Sequence, residues 1–317
     1  MNEFELIQQY FSRANYSSTV SVGIGDDCAV VSIPEHAELA LSVDTLLPGV
    51  HFFPEAAPAL IAERALSVCL SDLAAMGAEP LWFTLALTLP EADEAWLSGF
   101  SEGLFLAAKR YHCELIGGNT SKGPLSISIQ VQGAVPKDGA IVRSGARVGD
   151  LVCVSGPLGD GAAALAMLKG ELDVDAVAYS YFNDAYYRPQ PQLNLGQKLR
   201  GLASAAIDIS DGFLADLGHI CKASGVGAHI NVESLPLSSA LVADSNSEQW
   251  QQWALTGGDD YQLCFTVAED KAERLHQLIE ANQFTVSVIG HIVEGAGVEC
   301  KQFGQPIIIV SNGYTHF

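Results

Sequence analysis

Basic residues are scarce in this chain. Lys and Arg together number 16 against 37 Asp and Glu, which gives a formal net charge of −21 at pH 7. No cluster of four or more Lys or Arg occurs anywhere. A surface this acidic repels nucleic acid and anionic lipid, so neither is an expected partner. Long apolar runs are also missing, which excludes a membrane-spanning helix. The N-terminal segment, residues 1–11, carries acids where a secretory signal needs positive charge. Cysteine is sparse and unpatterned. There are seven, an odd number, with no CxxC, and several sit in apolar runs such as Val68-Cys69-Leu70. Buried free thiols in a reducing, cytoplasmic setting are expected, and a Cys-based zinc site is not. None of the eight His pairs at HxxxH spacing. The phosphate-cradling GxxxxGK(S/T) is absent, as are the HRD and DFG segments of protein kinases. If the protein handles phosphates, something other than side-chain cations must neutralise them.

What is present is a globular composition, 49% hydrophobic and only 17% charged. At roughly 150 residues per domain, the length suggests two domains. The pattern divides accordingly, into residues 1–137, a Gly-rich connector at 138–150, and residues 151–317. In the first part, Glu38 to Asp44 alternates with period two. Leu66, Cys69, Leu70, Leu73 and Met76 recur at helical spacing, and Leu81 to Leu89 is rich in strand formers. The second part opens on a strand at 151–155 and continues with helices near 160–169, 192–203, 213–224 and 270–281. Strands fall near 205–209, 228–232, 262–267 and 285–290. Mixed α/β (α+β) architecture is the expectation.

The informative acids stand beside Gly, Ser and apolar runs. Asp26 and Asp27 are adjacent carboxylates before an apolar run, and they repel unless a cation lies between them; a polar turn explains them equally well. Asp44 is expected at the end of its strand, where a carboxylate serves a metal or a turn. Asp72 on a helix has Val68, Cys69 and Met76 as neighbours, so its charge is costly unless a cation, a cap or a salt bridge compensates it. Asp208 falls inside a strand and Asp211 just past it, where Ser210 or Asp211 can simply cap the next helix. Gly257-Gly258-Asp259-Asp260 repeats the glycine-then-acid theme. Dispersed carboxylates at strand ends suit Mg²⁺, which takes oxygen ligands, keeps several waters and bridges to substrate phosphates. Arg143 and Arg147 suit bidentate phosphate contact, or are solvated residues of the connector. The run Ser155 to Gly161 leads from a strand into a helix, where its amides can hold an anion.

Taken together, GIGDDCAVV (23–31), SVDTLLPGVHF (42–52), LSDLAAMGAEP (70–80), LIGGNTSKGPLSISI (115–129), RSGARVGD (143–150), IDISDGFLADLGHI (207–220), TGGDDYQLCF (256–265) and GYTHF (313–317) resemble the thiamine-monophosphate kinases, in the aminoimidazole-ribonucleotide synthetase superfamily. The resemblance runs nearly end to end. It implies two α/β domains, with N-terminal domains paired across a homodimer through a β-barrel and ATP near that interface. The implied reaction is transfer of the γ-phosphate of ATP to thiamine monophosphate, with several Mg²⁺ ions. By resemblance, Asp27, Ser42, Val43 through its carbonyl, Asp44, Asp72, Asn119, Asp208 and Asp211 match metal positions. Gly118, Asn119, Arg143 and Ser210 match nucleotide contacts. His51, Asp259 and Tyr314 match positions near the thiamine phosphate.

This chain departs from the family pattern in three places. Asn119 stands where Asp is usual, keeping a carbonyl oxygen but losing a charge. Val43 stands where Thr is frequent, and Asp259 where Glu is. Another ATP-using synthetase of the superfamily, a metal-dependent phosphatase and a nucleotide-binding module without catalysis are the alternatives open at this point.

Overall fold

The computed structural model describes residues 2–12 and 16–309. The chain divides into two compact units, one of residues 1–73 and 78–138, the other of residues 74–77 and 139–317. In chain order the first unit contains α1 (Glu3–Leu6), β1 (Val20–Val22), β2 (Val30–Val31), β3 (Ala37–Leu46), α2 (Pro58–Ala75), β4 (Glu79–Leu89), α3 (Glu94–Arg110), β5 (Glu114–Lys122) and β6 (Ser126–Pro136). Its main sheet has the order β3-β6-β4-β5. β6 runs antiparallel to both β3 and β4, while β4 and β5 are parallel and joined through α3. A parallel pair needs such a crossover, because a tight turn cannot reverse the chain twice. On one face of the sheet Phe83, Ile127, Ile129 and Val131 are buried; so are Leu66, Cys69, Leu70 and Leu73 of α2. Each such side chain contributes roughly 1.5–3 kcal/mol by leaving water.

The second unit contains β7 (Leu151–Val154), α4 (Asp160–Leu168), α5 (Ala176–Tyr187), α6 (Leu193–Leu199), β8 (Ala203–Asp208), α7 (Phe213–Ser224), β9 (Gly227–Asn231), α8 (Ser239–Asp244), α9 (Ser247–Thr256), β10 (Leu263–Val267), α10 (Ala272–Asn282), β11 (Ser287–Val293), β12 (Gly297–Gln302) and β13 (Gln305–Ile307). The sheet order is β13-β12-β9-β11-β7-β10-β8. Val152, Val154, Ile207, Ile209, Phe213 and Leu217 belong to one buried cluster. β8 lies at the sheet edge and delivers Asp208 at its last position, next to α7.

The architecture is the expected mixed α/β pair. Both large sheets are open within the chain, and no closed barrel forms among the described residues. Six of the seven cysteines are buried, and all are free. Among the described residues no helix is long and apolar enough to cross a membrane.

Candidate functional site

The first unit gathers one group of acids by simple strand geometry. Successive side chains on a strand alternate faces. Ser42 and Asp44 therefore share a face of β3, and Val43 lies on the other, 59% exposed. β3 continues to Leu46, so Asp44 sits within the strand rather than at its end, paired with Ile129 of β6. The turn-forming role of Asp44 is thereby excluded. On α2, Asp72 accepts a short hydrogen bond from the Ser42 hydroxyl. Burial holds the Asp44 carboxyl above its ordinary range, the Asp72 charge adds to the rise, and a hydrogen bond from the Cys69 thiol opposes it. Two carboxylates that disfavour each other's charge in a partly buried place are stabilised by a cation.

A cleft of about 740 Å³ in this unit is lined by Asp27, Gly118 and Asn119 together with Trp82, Thr84 and Gln132. Asp26 and Asp27 lie in a turn, with the Asp27 amide donating to Asp26 Oδ1 at 2.8 Å, and both are exposed. Gly118 has φ +151°. Asn119 is exposed, and its Nδ2 donates to Ser121 Oγ at 2.9 Å. His51 lies in the turn after β3, where its Nδ1 accepts from the Leu47 amide at 3.1 Å and its carbonyl accepts from Arg64 Nε at 2.8 Å. Arg64 is 2% exposed, so the turn that presents His51 is anchored from the interior.

The second unit gathers another group through two buried carboxylates, Asp216, which sequence reasoning does not single out, and Asp260 of the glycine-then-acid segment. Asp216, one turn into α7, accepts the amides of Ser210, Asp211 and Gly212 at 3.1, 3.1 and 3.2 Å. The N-cap of α7 is Gly212, with no side-chain cap. Neither Ser210 nor Asp211 caps the helix, which removes the structural explanation open for them. Burial, then the charge of Asp211, pushes the Asp216 carboxyl up to about 7, against the pull of the amides. Asp260 accepts from Gly159 and Gly161 at 2.8 and 3.0 Å. Two amides of the 155–161 segment, candidates for an external anion, thus serve the protein's own carboxylate. Burial holds the Asp260 carboxyl well above its ordinary range.

These two loops are joined to each other. The Asp259 amide donates to the Ser210 carbonyl at 3.0 Å, and that of Tyr261 to the Ile209 carbonyl at 2.8 Å. Asp259, at φ +69°, accepts from the Tyr261 hydroxyl at 2.9 Å. Asp208 is buried, and Ser210, Asp211 and Asp259 are partly exposed. Arg143 is exposed in the connector, its carbonyl accepting from Ser224 Oγ at 3.4 Å. Tyr314 lies outside the described residues.

No set of three or more His, Cys, Asp or Glu among the described residues forms a ready-made metal cage. The donors that do converge are oxygens, a hydroxyl with one or two carboxylates. That fits Mg²⁺, which takes few protein ligands and fills its shell with water and phosphate. It does not fit zinc.

Comparison with known proteins identifies the family. Residues 25–135 match the N-terminal domain of AIR synthase related proteins, and residues 147–301 match the C-terminal domain. Thiamine-monophosphate kinase of Escherichia coli (strain K12) is 48% identical over 320 residues, covering 99% of this chain and 98% of the relative. The enzyme of the same name from Bacillus subtilis (strain 168) is 34% identical, covering 100% of each. The crystal structure of thiamine-monophosphate kinase from Stenotrophomonas maltophilia K279a superposes with a TM-score of 0.86 at 43% identity, over 92% of this chain and 93% of that one. A structure of AaThiL complexed with AMPPCP and TMP gives 0.80 at 33% identity, over 90% and 89%. By its sequence along nearly its whole length and by its fold, this chain belongs to the thiamine-monophosphate kinases, a family of enzymes among the AIR synthase related proteins.

Proposed function

We propose that the protein transfers the γ-phosphate of ATP to thiamine monophosphate, giving thiamine diphosphate and ADP, by direct in-line attack. The oxygen-donor set of Ser42, Asp44 and Asp72, in a chain of this family, is the observation that carries the reading. A phosphate oxygen of thiamine monophosphate attacks the γ-phosphorus, and the bond from that phosphorus to the β–γ bridging oxygen breaks. The attacking phosphate monoester is already largely dianionic at pH 7, its second pKa being about 6. No general base is therefore needed, and none is assigned. The obstacle is the meeting of two polyanions, so positioning and charge neutralisation dominate. When bound, Mg²⁺ supplies positive charge that offsets the phosphate oxygens. Asp27, Ser42, the Val43 carbonyl, Asp44, Asp72, Asn119, Asp208 and Asp211 would hold several such ions. Gly118, Asn119, Arg143 and Ser210 would contact the nucleotide, and His51, Asp259 and Tyr314 the thiamine phosphate.

Incubation with ATP, Mg²⁺ and thiamine monophosphate should yield ADP and thiamine diphosphate in equal amounts. Free phosphate alone would turn the reading toward a phosphatase, and ATP binding without turnover toward a non-catalytic module. Asn119 gives a finer test. Its amide supplies an oxygen but no charge, so Asn119→Asp should lower the Mg²⁺ concentration for half-maximal rate. An unchanged or higher requirement removes Asn119 from the metal set.

The same reading makes the enzyme a homodimer. β3 is an edge strand, and Leu41 and Val43 on its outer face are 58% and 59% exposed. An exposed apolar sheet edge is prone to pair with another chain. A second copy of the four-stranded sheet would close it into a barrel. Leu41→Glu should then halve the mass seen by sedimentation, and an unchanged mass would rule this face out.

A further inference from the structure

We propose that Asp216 is a positioning residue for the Mg²⁺-nucleotide complex, acting through the conformation of the Ser210–Gly212 loop. The inference rests on the proposed roles of Asp208, Ser210 and Asp211, and adds a residue that touches no ligand.

The argument starts from main-chain geometry. Three successive N–H groups, of Ser210, Asp211 and Gly212, converge on the single oxygen Asp216 Oδ2 at 3.1, 3.1 and 3.2 Å. Successive amides aimed at one point form a concave nest of fixed curvature. That curvature sets φ and ψ of the residues between them, and so the directions in which Ser210 and Asp211 leave the main chain. Asp216 is 3% exposed, so solvent does not compete for these donors. Hydrogen bonds to a carboxylate are roughly twice as strong as neutral ones.

The usual device would be an N-cap side chain. Here Gly212 occupies that position at φ +123°, and a Cβ on it would come within 2.6 Å of the Thr256 carbonyl oxygen. The close approach of the 256–261 segment requires glycine there, and glycine has no side chain with which to cap. Asp216 supplies the missing acceptor from inside the helix. The loop it holds is also the one whose Ser210 carbonyl accepts the Asp259 amide at 3.0 Å. One buried carboxylate therefore sets the posture of Ser210 and Asp211 directly, and that of Asp259 through a shared hydrogen bond.

A merely structural Asp216 and a positioning one differ in what they change. Asp216→Asn keeps the size and one acceptor oxygen but loses the charge, and its amide group cannot accept from N–H. Mn²⁺ binding in the presence of AMPPCP, read from the free Mn²⁺ signal by electron paramagnetic resonance, reports the site without turnover. Asp216→Asn should weaken it about 10–100-fold, as loss of a group orienting a metal ligand does. It should raise KM for ATP more than it lowers kcat at saturating Mg²⁺. Unchanged Mn²⁺ affinity alongside a lowered melting temperature overturns the positioning role. A wild-type protein that binds no Mn²⁺ overturns the metal reading and this inference with it. Should the variant not fold, hydrogen exchange of the wild type decides. The 210–212 amides should be protected as strongly as those of β8, and rapid exchange there overturns the proposal.

Discussion

Asp44→Asn and Asp72→Asn should each lower turnover by about 10²–10³-fold or more, the loss expected when preorganised charge is removed from a phosphoryl-transfer site. Both variants should keep the fold. Asn preserves shape and one acceptor oxygen at each position, so the Ser42 hydroxyl retains a partner in Asp72→Asn. Asp44→Asn should also act on stability in a direction opposite to its effect on rate. Burial and the Asp72 charge raise the Asp44 carboxyl above its unfolded value. A raised carboxylate favours the native state at low pH and disfavours it once the pH passes the native value. At neutral pH the ionised Asp44 is therefore a liability in the metal-free protein, and Asp44→Asn should raise its melting temperature. Added Mg²⁺ should stabilise the wild type more than the variant, which has lost one carboxylate of the proposed metal set. Circular-dichroism melts with and without Mg²⁺, beside a coupled assay for ADP, measure all three quantities. Near-normal turnover in both variants would sink the acidic set as the working part of the site. A lowered metal-free melting temperature in Asp44→Asn would leave the site standing but refute the account of its strain.

How far the sequence leads depends on the range of the interaction involved. The period-two alternation of residues 38–44 puts Ser42 and Asp44 on one face, and the helical spacing around Asp72 puts a carboxylate against an apolar helix; both are local facts, and both hold in the structure. That Ser42 and Asp72 are hydrogen-bonded partners is a contact across 30 residues, invisible to periodicity. An acid after Val43 has the character of a boundary, which is why a strand end is expected at Asp44. The strand runs on through Thr45 and Leu46 because β6 continues to pair with it through Ile127. The helices α5, α8 and α9 and the strands β1, β2, β12 and β13 leave little pattern. The strands are short, and α9 is polar around most of its circumference. Asp216 itself, and the role of Asp260, escape a sequence reading for a related reason. Asp216 lies within the helical run 213–224, and Asp260 has the character of a duplicate of its neighbour Asp259. Their role appears only when buried main-chain donors are traced to their acceptors. The cue that exists in sequence is a single Asp amid the apolar face of Phe213, Leu217 and Ile220, an acid that a helix has no reason to bury without N–H groups to satisfy it.

Gly118→Ala should cost about 3 kcal/mol or more, against about 1–2 kcal/mol for Gly170→Ala, and should take phosphoryl transfer down with it. The two glycines share a positive φ, +151° and +73°, but not their surroundings. A Cβ at Gly170 meets nothing within 4 Å. A Cβ at Gly118 would fall well inside contact distance of the Leu85 carbonyl oxygen, with the Leu85 carbon at 2.7 Å and its nitrogen at 2.9 Å. Those are main-chain atoms of the neighbouring parallel strand, so no side chain can rotate away to make room. β4 must instead move from β5 along a register in which Leu85 pairs with Gly118 and Ala86 with Asn119. The displacement falls on the stretch that lines the cleft beside Asp27, so its effect on catalysis should exceed what the lost stability explains. Melting of the two variants separates backbone strain, common to both, from the clash that only Gly118→Ala creates. Rates taken well below either melting temperature then isolate the geometric effect. Equal destabilisation would mean that Gly118 is required for its conformation alone. A destabilised Gly118→Ala with full activity at low temperature would mean that the β5 backbone at this point does not help to hold the nucleotide.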